Sequence, residues 1–213
     1  SVSADYSNHE DARSVIDELV IKHGFDESYV ISILKDAKRR DEMLRSVASP
    51  AEKTKTWDEY KKIFLTSKRI REGKKFQDVN IKILEKAEEE FGVPKEVIVA
   101  IFAIETNFGG NKGSHRVIDS LTTLGFDEPR RSKIFRSQLI EFFILARENN
   151  MNILEVKGSY AGAMGLPQFI AESYRKDAID YDGDGYIDLF NSVDDSIGSI
   201  ANYLVNRGWK REG

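Results

Sequence analysis

The 213-residue sequence has no cysteine. That excludes a disulfide framework, a thiol nucleophile and a cysteine zinc site, and it suits an oxidising compartment that the protein tolerates without using. Histidine is almost as scarce: His9, His23 and His115 are the three present, too few for a histidine-rich metal site. No apolar run approaches the roughly 20 residues of a membrane span, so no transmembrane segment is expected. Neither sign of charge dominates. With 32 Lys+Arg against 36 Asp+Glu and a net charge of −4, no whole-chain basic balance points to nucleic acid. Period-two alternation is nearly absent, and internal repeats and low-complexity tracts are missing, so sheet is not expected beyond a tiny hairpin in the acidic loop Asp180–Asp188. No signal peptide is visible, and Ser1-Val2-Ser3-Ala4 could be the start of a processed or an engineered chain. What is present is an ordinary globular composition, 40% hydrophobic and 32% charged, enough for one large domain or two small ones.

Helical stripes fill the chain. Ala12, Val15, Ile16, Leu19 and Val20 form the first, stopping at His23-Gly24. Asp26 caps a second with Val30, Ile33, Leu34 and Ala37 inward. Ser49-Pro50 breaks the chain, and Thr56 opens a short helix carrying Trp57, Tyr60 and Phe64. A long helix is expected from Ser67 to Phe91, ended by Gly92. Arg116 to Leu124 reads as a helix ended by Gly125. Glu128-Pro129 opens another, with Phe135, Leu139, Phe142, Phe143 and Ala146 inward. Pro167 to Ile179 and Asp195 to Arg207 complete the set. The expected fold is mainly α, with an N-terminal helical region over 1–66 and a core over 67–213.

The stretch from Val93 to Gly110 is almost wholly apolar between a helix-starting Pro94 and a helix-ending Gly109-Gly110. Glu105 interrupts it. Pro94, Ile98, Ile101, Glu105 and Phe108 recur at helical spacing, so the carboxyl is expected on an apolar face. Lost water and the helix C-terminus would both raise its pKa toward a proton donor. A buried glutamate paired with a cation is the equal alternative.

Two loops stand out. Asp180-Tyr181-Asp182-Gly183-Asp184-Gly185-Tyr186-Ile187-Asp188 has carboxylates at positions one, three and five, glycine at six and an apolar residue at eight. That spacing fits an EF-hand calcium loop, with the Tyr186 carbonyl as a further ligand. Position twelve is Asn191, so the usual bidentate ligand is missing, and Asp194 or Asp195 could close the shell from a longer loop; a solvated Asp-Gly turn is the plainer alternative. A single copy points to a structural clip, and so many carboxylates favour calcium over magnesium. The second loop, from Gly158 to Phe169, is rich in small residues that let a ligand approach the backbone, with Gln168 and Phe169 offering an amide and an aromatic face to a sugar. Taken alone, the loop is read slightly in favour of a tight turn between packed helices.

These pieces share one order. Ala103-Ile104-Glu105-Thr106-Asn107-Phe108-Gly109, Arg130-Arg131, Gly158-Ser159-Tyr160-Ala161-Gly162-Ala163-Met164-Gly165, Gln168-Phe169, the acidic loop, Ser199-Ile200-Ala201-Asn202-Tyr203-Leu204 and Gly208-Trp209 together resemble the B-type lytic murein transglycosylases. The likeness covers roughly Trp57 to Trp209 and, more loosely, the N-terminal helices. It implies a lysozyme-like α domain acting on peptidoglycan glycan strands in the periplasm or cell envelope, as a monomer. Glu105 matches the family's single catalytic glutamate. Tyr60, Ser159, Gln168, Phe169 and Tyr203 match its sugar cleft. The acidic loop matches a calcium site, with Asp180, Asp182, Asp184, Tyr186 and Asp195 as the better-fitting ligand set. Members run on past the Gly-Trp segment, whereas this sequence ends at Gly213.

The resemblance implies cleavage of the bond between N-acetylmuramic acid and N-acetylglucosamine with closure of a 1,6-anhydro ring. A water-using muramidase would instead need a second carboxylate, for which Asp119, Asp127 and Glu141 are candidates. A non-catalytic wall-binding protein is the reading from a different class.

Overall fold

The computed structural model describes residues 5–48, 62 and 65–211. Among them, regular structure is helical except for one antiparallel ladder of two residues per strand, so the mainly α expectation holds. Backbone contacts divide the chain into two units that are not consecutive in sequence. One takes Ser1–Pro50, Gly113–Ala163 and Ile170–Glu172; the other takes Ala51–Lys112, Met164–Phe169 and Ser173–Gly213.

The first unit is built on the helix Val117–Asp127, in which every residue from Val117 to Phe126 is buried. The long helix Ser132–Glu148 packs on it through Leu139, Phe142 and Phe143. Three short helices, Ala12–Asp17, Glu27–Asp36 and Asp41–Ala48, add Val15, Ile16, Val30, Leu34 and Met43 to the core. Asp26 caps the second of these as expected, accepting from the Tyr29 amide at 2.9 Å. Gly125 does not end its helix. A Cβ there would lie 3.2 Å from Arg136 Cγ, and the Gly125 carbonyl accepts from Arg136 Nη1 at 2.8 Å, so the glycine serves helix packing. The ladder pairs His115 with Gly158 and Arg116 with Lys157. It does not lie in the acidic loop, where side-chain carboxylates take the backbone amides that a ladder would need.

In the second unit, Ser67–Val79 and Ile81–Phe91 are separate helices. The expected single helix breaks at Asn80, whose side-chain amide donates to the Phe76 carbonyl at 2.8 Å and so competes with the helical hydrogen-bond ladder. Helix Val193–Asn206 packs against Ile81–Phe91, and Lys95–Thr106 against both neighbours before it. Leu84, Ile98, Phe102, Met164, Leu189, Ile197 and Ile200 are buried there, with the Phe76 and Phe102 rings 4.7 Å apart. Trp209 closes the unit by donating from Nε1 to the Gly92 carbonyl at 3.0 Å. Among the described residues no helix is long and apolar enough to cross a membrane.

Candidate active site

Helix Lys95–Thr106 starts on Pro94, whose missing N–H would have been unpaired in a first turn. It buries Ile98, Val99, Phe102 and Thr106. Glu105 is exposed, contrary to the expected burial, and its neighbour Ile104 is 49% exposed. At about 100° per residue, position 105 falls beside the buried stripe and not on its centre line. In the free protein, therefore, burial does not strip water from this carboxylate. On the same helix, Val99, Ala103 and Ile104, with Leu65, Ile70 and Phe108, line an apolar groove of about 480 Å³.

The helix ends earlier than expected, at Asn107. Asn107, Phe108 and Gly109 have φ of 50°, 56° and 88°, three left-handed residues in a row. For a bulky phenylalanine that conformation is strained, and it is held by ring packing on Phe76 at 5.2 Å. Thr106 fastens the turn. Its buried hydroxyl donates to the Leu166 carbonyl at 3.0 Å and accepts from the Gly109 amide at 3.0 Å. The turn that carries Glu105 is thereby tied to the loop segment Met164–Phe169.

That loop crosses from one unit to the other. In its first half, Ser159 Oγ accepts from the amides of Ala161 and Ala163 at 3.2 and 3.0 Å. Its lone pairs are occupied, and what the hydroxyl still offers is its O–H. The small residues admit the protein's own atoms: a Cβ on Gly158 would sit 2.2 Å from the Ala163 carbonyl oxygen, and one on Gly162 2.7 Å from Leu121 Cδ2. They serve close packing, the plainer of the two readings. In the second half, Met164 and Phe169 exchange backbone hydrogen bonds of 2.9 and 3.0 Å. This tight turn replaces the start of the helix expected from Pro167, and the helix runs only over Ala171–Asp177. Gln168 takes φ 53°, and its Nε2 donates to the carbonyls of Gly165 at 2.8 Å and Lys112 at 3.2 Å. Phe169 is 6% exposed, so its face is covered rather than offered. It lies 5.1 Å from the Tyr203 ring, which is partly exposed. The Arg207 guanidinium stacks 3.6 Å from that ring, held by Asp177 at 2.8 Å and Ser173 at 3.2 Å. Tyr60 lies outside the described residues.

Thr106, Arg207 and Lys112 escaped sequence reasoning. A polar residue following Glu105 in an apolar helix was the available signal for Thr106, and the i,i+4 spacing to Tyr203 was the signal for Arg207.

In the acidic loop, Asp180 accepts from the amides of Gly183, Asp184 and Gly185 at 2.8–3.1 Å. Gly183 and Gly185, at φ 77° and 92°, let the chain turn around it. Asp180, Asp182 and Asp184 bring carboxylate oxygens within 4.8 Å of one another. Asp195 stands apart from these three and is 1% exposed. Its oxygens accept from the amides of Tyr181 at 2.8 Å, Asp182 at 3.4 Å and Asp188 at 2.9 Å. Burial pushes its carboxyl pKa up despite these amides, and the nearby Asp182 charge adds to the rise. Tyr186 is 75% exposed, its amide donating to Asp184 Oδ1 at 2.8 Å. Three like charges this close repel one another, and a cation among them would relieve that repulsion. The cluster of Asp180, Asp182 and Asp184 can hold a divalent ion.

The sequence profile described as "Transglycosylase SLT domain" matches residues 7–213. The chain belongs to this transglycosylase family. Membrane-bound lytic murein transglycosylase B of Escherichia coli (strain K12) is 40% identical over 217 residues, covering 98% of this chain and 60% of that protein. The chain thus spans only about 60% of that relative's length. The structure of catenated lytic transglycosylase SltB1 from Pseudomonas aeruginosa superposes with a TM-score of 0.93 at 42% identity, covering 98% of this chain and 69% of that one. That of Escherichia coli lytic transglycosylase Slt35 in complex with calcium gives 0.91 at 39% identity, covering 98% and 66%. The lysozyme-like helical fold of the family is therefore the fold of this chain.

Proposed function

We propose that this chain is a peptidoglycan lytic transglycosylase of the bacterial cell envelope and that Glu105 is its acid and base. The supporting observation is the placement of Glu105: an exposed carboxylate in the last turn of a helix with an apolar middle, next to Thr106, which anchors the left-handed exit. Glycan strands laid over Glu105 would displace its water and favour the protonated form. The carboxyl then gives its proton to the oxygen joining N-acetylmuramic acid to N-acetylglucosamine, and the substrate's 2-acetamido group stabilises the positive ring. The resulting carboxylate takes the proton of the C6 hydroxyl as that oxygen closes the 1,6-anhydro ring. Proton count and bonds balance without a water molecule. Tyr203 and the Gln168 amide oxygen are the sugar contacts of the second unit. Ser159 contributes an O–H, Tyr60 a further ring, and Phe169 acts by supporting Tyr203.

A hydrolytic muramidase would need a second carboxylate, and two of its three candidates are otherwise committed. Asp119, 1% exposed, accepts from the Lys38 amide at 2.9 Å and pairs with Arg40 at 3.3 Å. Asp127 accepts from the Tyr6 hydroxyl at 2.6 Å and faces Arg39 at 3.4 Å. This favours the one-acid reading. The ion of the acidic loop is calcium, bound by Asp180, Asp182 and Asp184 with the Tyr186 carbonyl. It clips the loop, and Asp195 supports the loop by accepting from three of its backbone amides. Mass analysis of digested glycan tests the reaction: products lighter by one water than reducing ends support it, and reducing ends alone overturn it.

A further inference from the structure

Lys112 makes two contacts that the proposed reaction does not use. Its backbone carbonyl accepts from Gln168 Nε2 at 3.2 Å, and its ammonium donates to the Phe190 carbonyl at 2.9 Å. Gln168 Nε2 also donates to the Gly165 carbonyl at 2.8 Å. A primary amide has two N–H donors. Both are engaged, so the direction of the amide oxygen is set by where those two carbonyls stand.

The Gly165 carbonyl belongs to the Gln168 turn itself. The Lys112 carbonyl does not: it follows Asn111, whose amide donates to the Thr106 carbonyl at 2.9 Å, and the Lys112 ammonium adds a second tie, to the Phe190 carbonyl. The Phe190 carbonyl is a firm anchor, because the Phe190 amide donates to Asp188 Oδ1 at 2.9 Å and the preceding Leu189 carbonyl accepts from the Leu166 amide at 2.8 Å. Lys112, Phe190 and the Gln168 turn therefore form a closed circuit of hydrogen bonds, and the lysine ammonium is its charge-assisted member.

We propose that Lys112 is a positioning residue for the reaction. Anchored on Phe190, it holds the carbonyl that orients the Gln168 amide, so that the Gln168 oxygen accepts from an N–H or O–H of the glycan, the acetamido N–H of an N-acetyl sugar being the matching donor. This rests on the reading that Gln168 faces the glycan.

The test compares Lys112→Met, which keeps the apolar stem and removes the donor, with Lys112→Arg, which keeps charge and donors. The side-chain amide resonances of Gln168 in ¹⁵N-labelled protein, and KM and kcat on purified glycan strands, are measured for each. Lys112→Met is expected to move the Gln168 amide pair toward the position of a free amide. KM should rise about three- to tenfold with kcat within about twofold, the scale of one hydrogen bond to a charged group partly transmitted. Lys112→Arg should restore most of both, and in a Gln168→Ala background Lys112→Met should add no further loss. Unmoved amide signals, an undiminished added loss in that background, or an arginine variant as poor as methionine would overturn the assignment. The amide signals report positioning without turnover, so an inactive wild type would defeat the proposed reaction and leave this question decided separately.

Discussion

The Thr106 hydroxyl and the Leu166 carbonyl are joined by a 3.0 Å hydrogen bond across sixty residues of sequence. One atom, Thr106 Oγ1, also receives the Gly109 amide at 3.0 Å. The last helical turn, the left-handed exit and the Gln168 turn are thus held at one buried point, next to the residue proposed as the acid. Thr106→Val removes that point while keeping the shape, and leaves a buried carbonyl and an amide without their partner. We expect a loss of about 1–3 kcal/mol in denaturant unfolding and a fall in glycan cleavage, both largely recovered in Thr106→Ser.

Glu105→Gln should separate chemistry from folding. The side chain is exposed, so the substitution is expected to change stability by no more than about 0.5 kcal/mol. Release of anhydro-ended products should fall by about 10²–10⁴-fold, the range for removing a general acid–base group. Unchanged clearing of purified cell wall would remove Glu105 from its proposed role.

Calcium should raise the thermal midpoint, by an amount set by occupancy: about 2.7 kcal/mol when free ion is about 100 times its Kd. Asp182→Asn and Asp184→Asn should shrink that rise with little effect in chelator. Asp195→Asn should behave differently, lowering the midpoint in chelator as well, because its carboxylate holds three backbone amides.

Gly198 lies in the middle of a helix with the Tyr181 ring against its backbone. A Cβ there would be 2.3 Å from Tyr181 Cγ. Gly198→Ala must displace the ring, which also donates from its hydroxyl to Glu90 at 2.9 Å. The expected cost is about 1–3 kcal/mol, read by denaturant titration, together with weaker calcium stabilisation.

Acid should remove the cap at Asp26 only below the ordinary carboxylate range. Its carboxyl pKa is lowered chiefly by the Ser28 hydroxyl and then by the Tyr29 amide. A depressed folded pKa means that the cap contributes fully above the unfolded value of about 3.9 and is lost as pH falls through the folded value. Asp26→Ala should therefore lower the thermal midpoint at neutral pH, and the difference from wild type should vanish in strong acid.

Much of this molecule follows from neighbours in sequence. Helix caps such as Asp26, the start at Pro94, the left-handed stop at Gly92 and the apolar stripes depend on spacing within one or two turns, and they were legible without coordinates. So was the cluster of Asp180, Asp182 and Asp184, because a loop of nine residues keeps its own carboxylates close. Predictions failed where a distant partner decided the outcome. Gly125 looked like a terminator until Arg136 packed against it, and Asn80 looked like a helical residue until its amide took the Phe76 carbonyl. The burial foreseen for Glu105 failed because helical spacing orders residues around a helix but does not say where the covered arc ends.

The sequence alone determined the helical class and the family, and it supplied the carboxylates proposed for acid and metal chemistry, since these rest on side-chain type and local period. Tertiary structure decided which of them face water. It turned Phe169 and Asp195 inward as supports, left Glu105 in the open, and tied the turn beside it to Leu166. A hydrogen bond between residues sixty positions apart has no signature in the local order of the chain, because it exists only once packing has brought its donor and acceptor together.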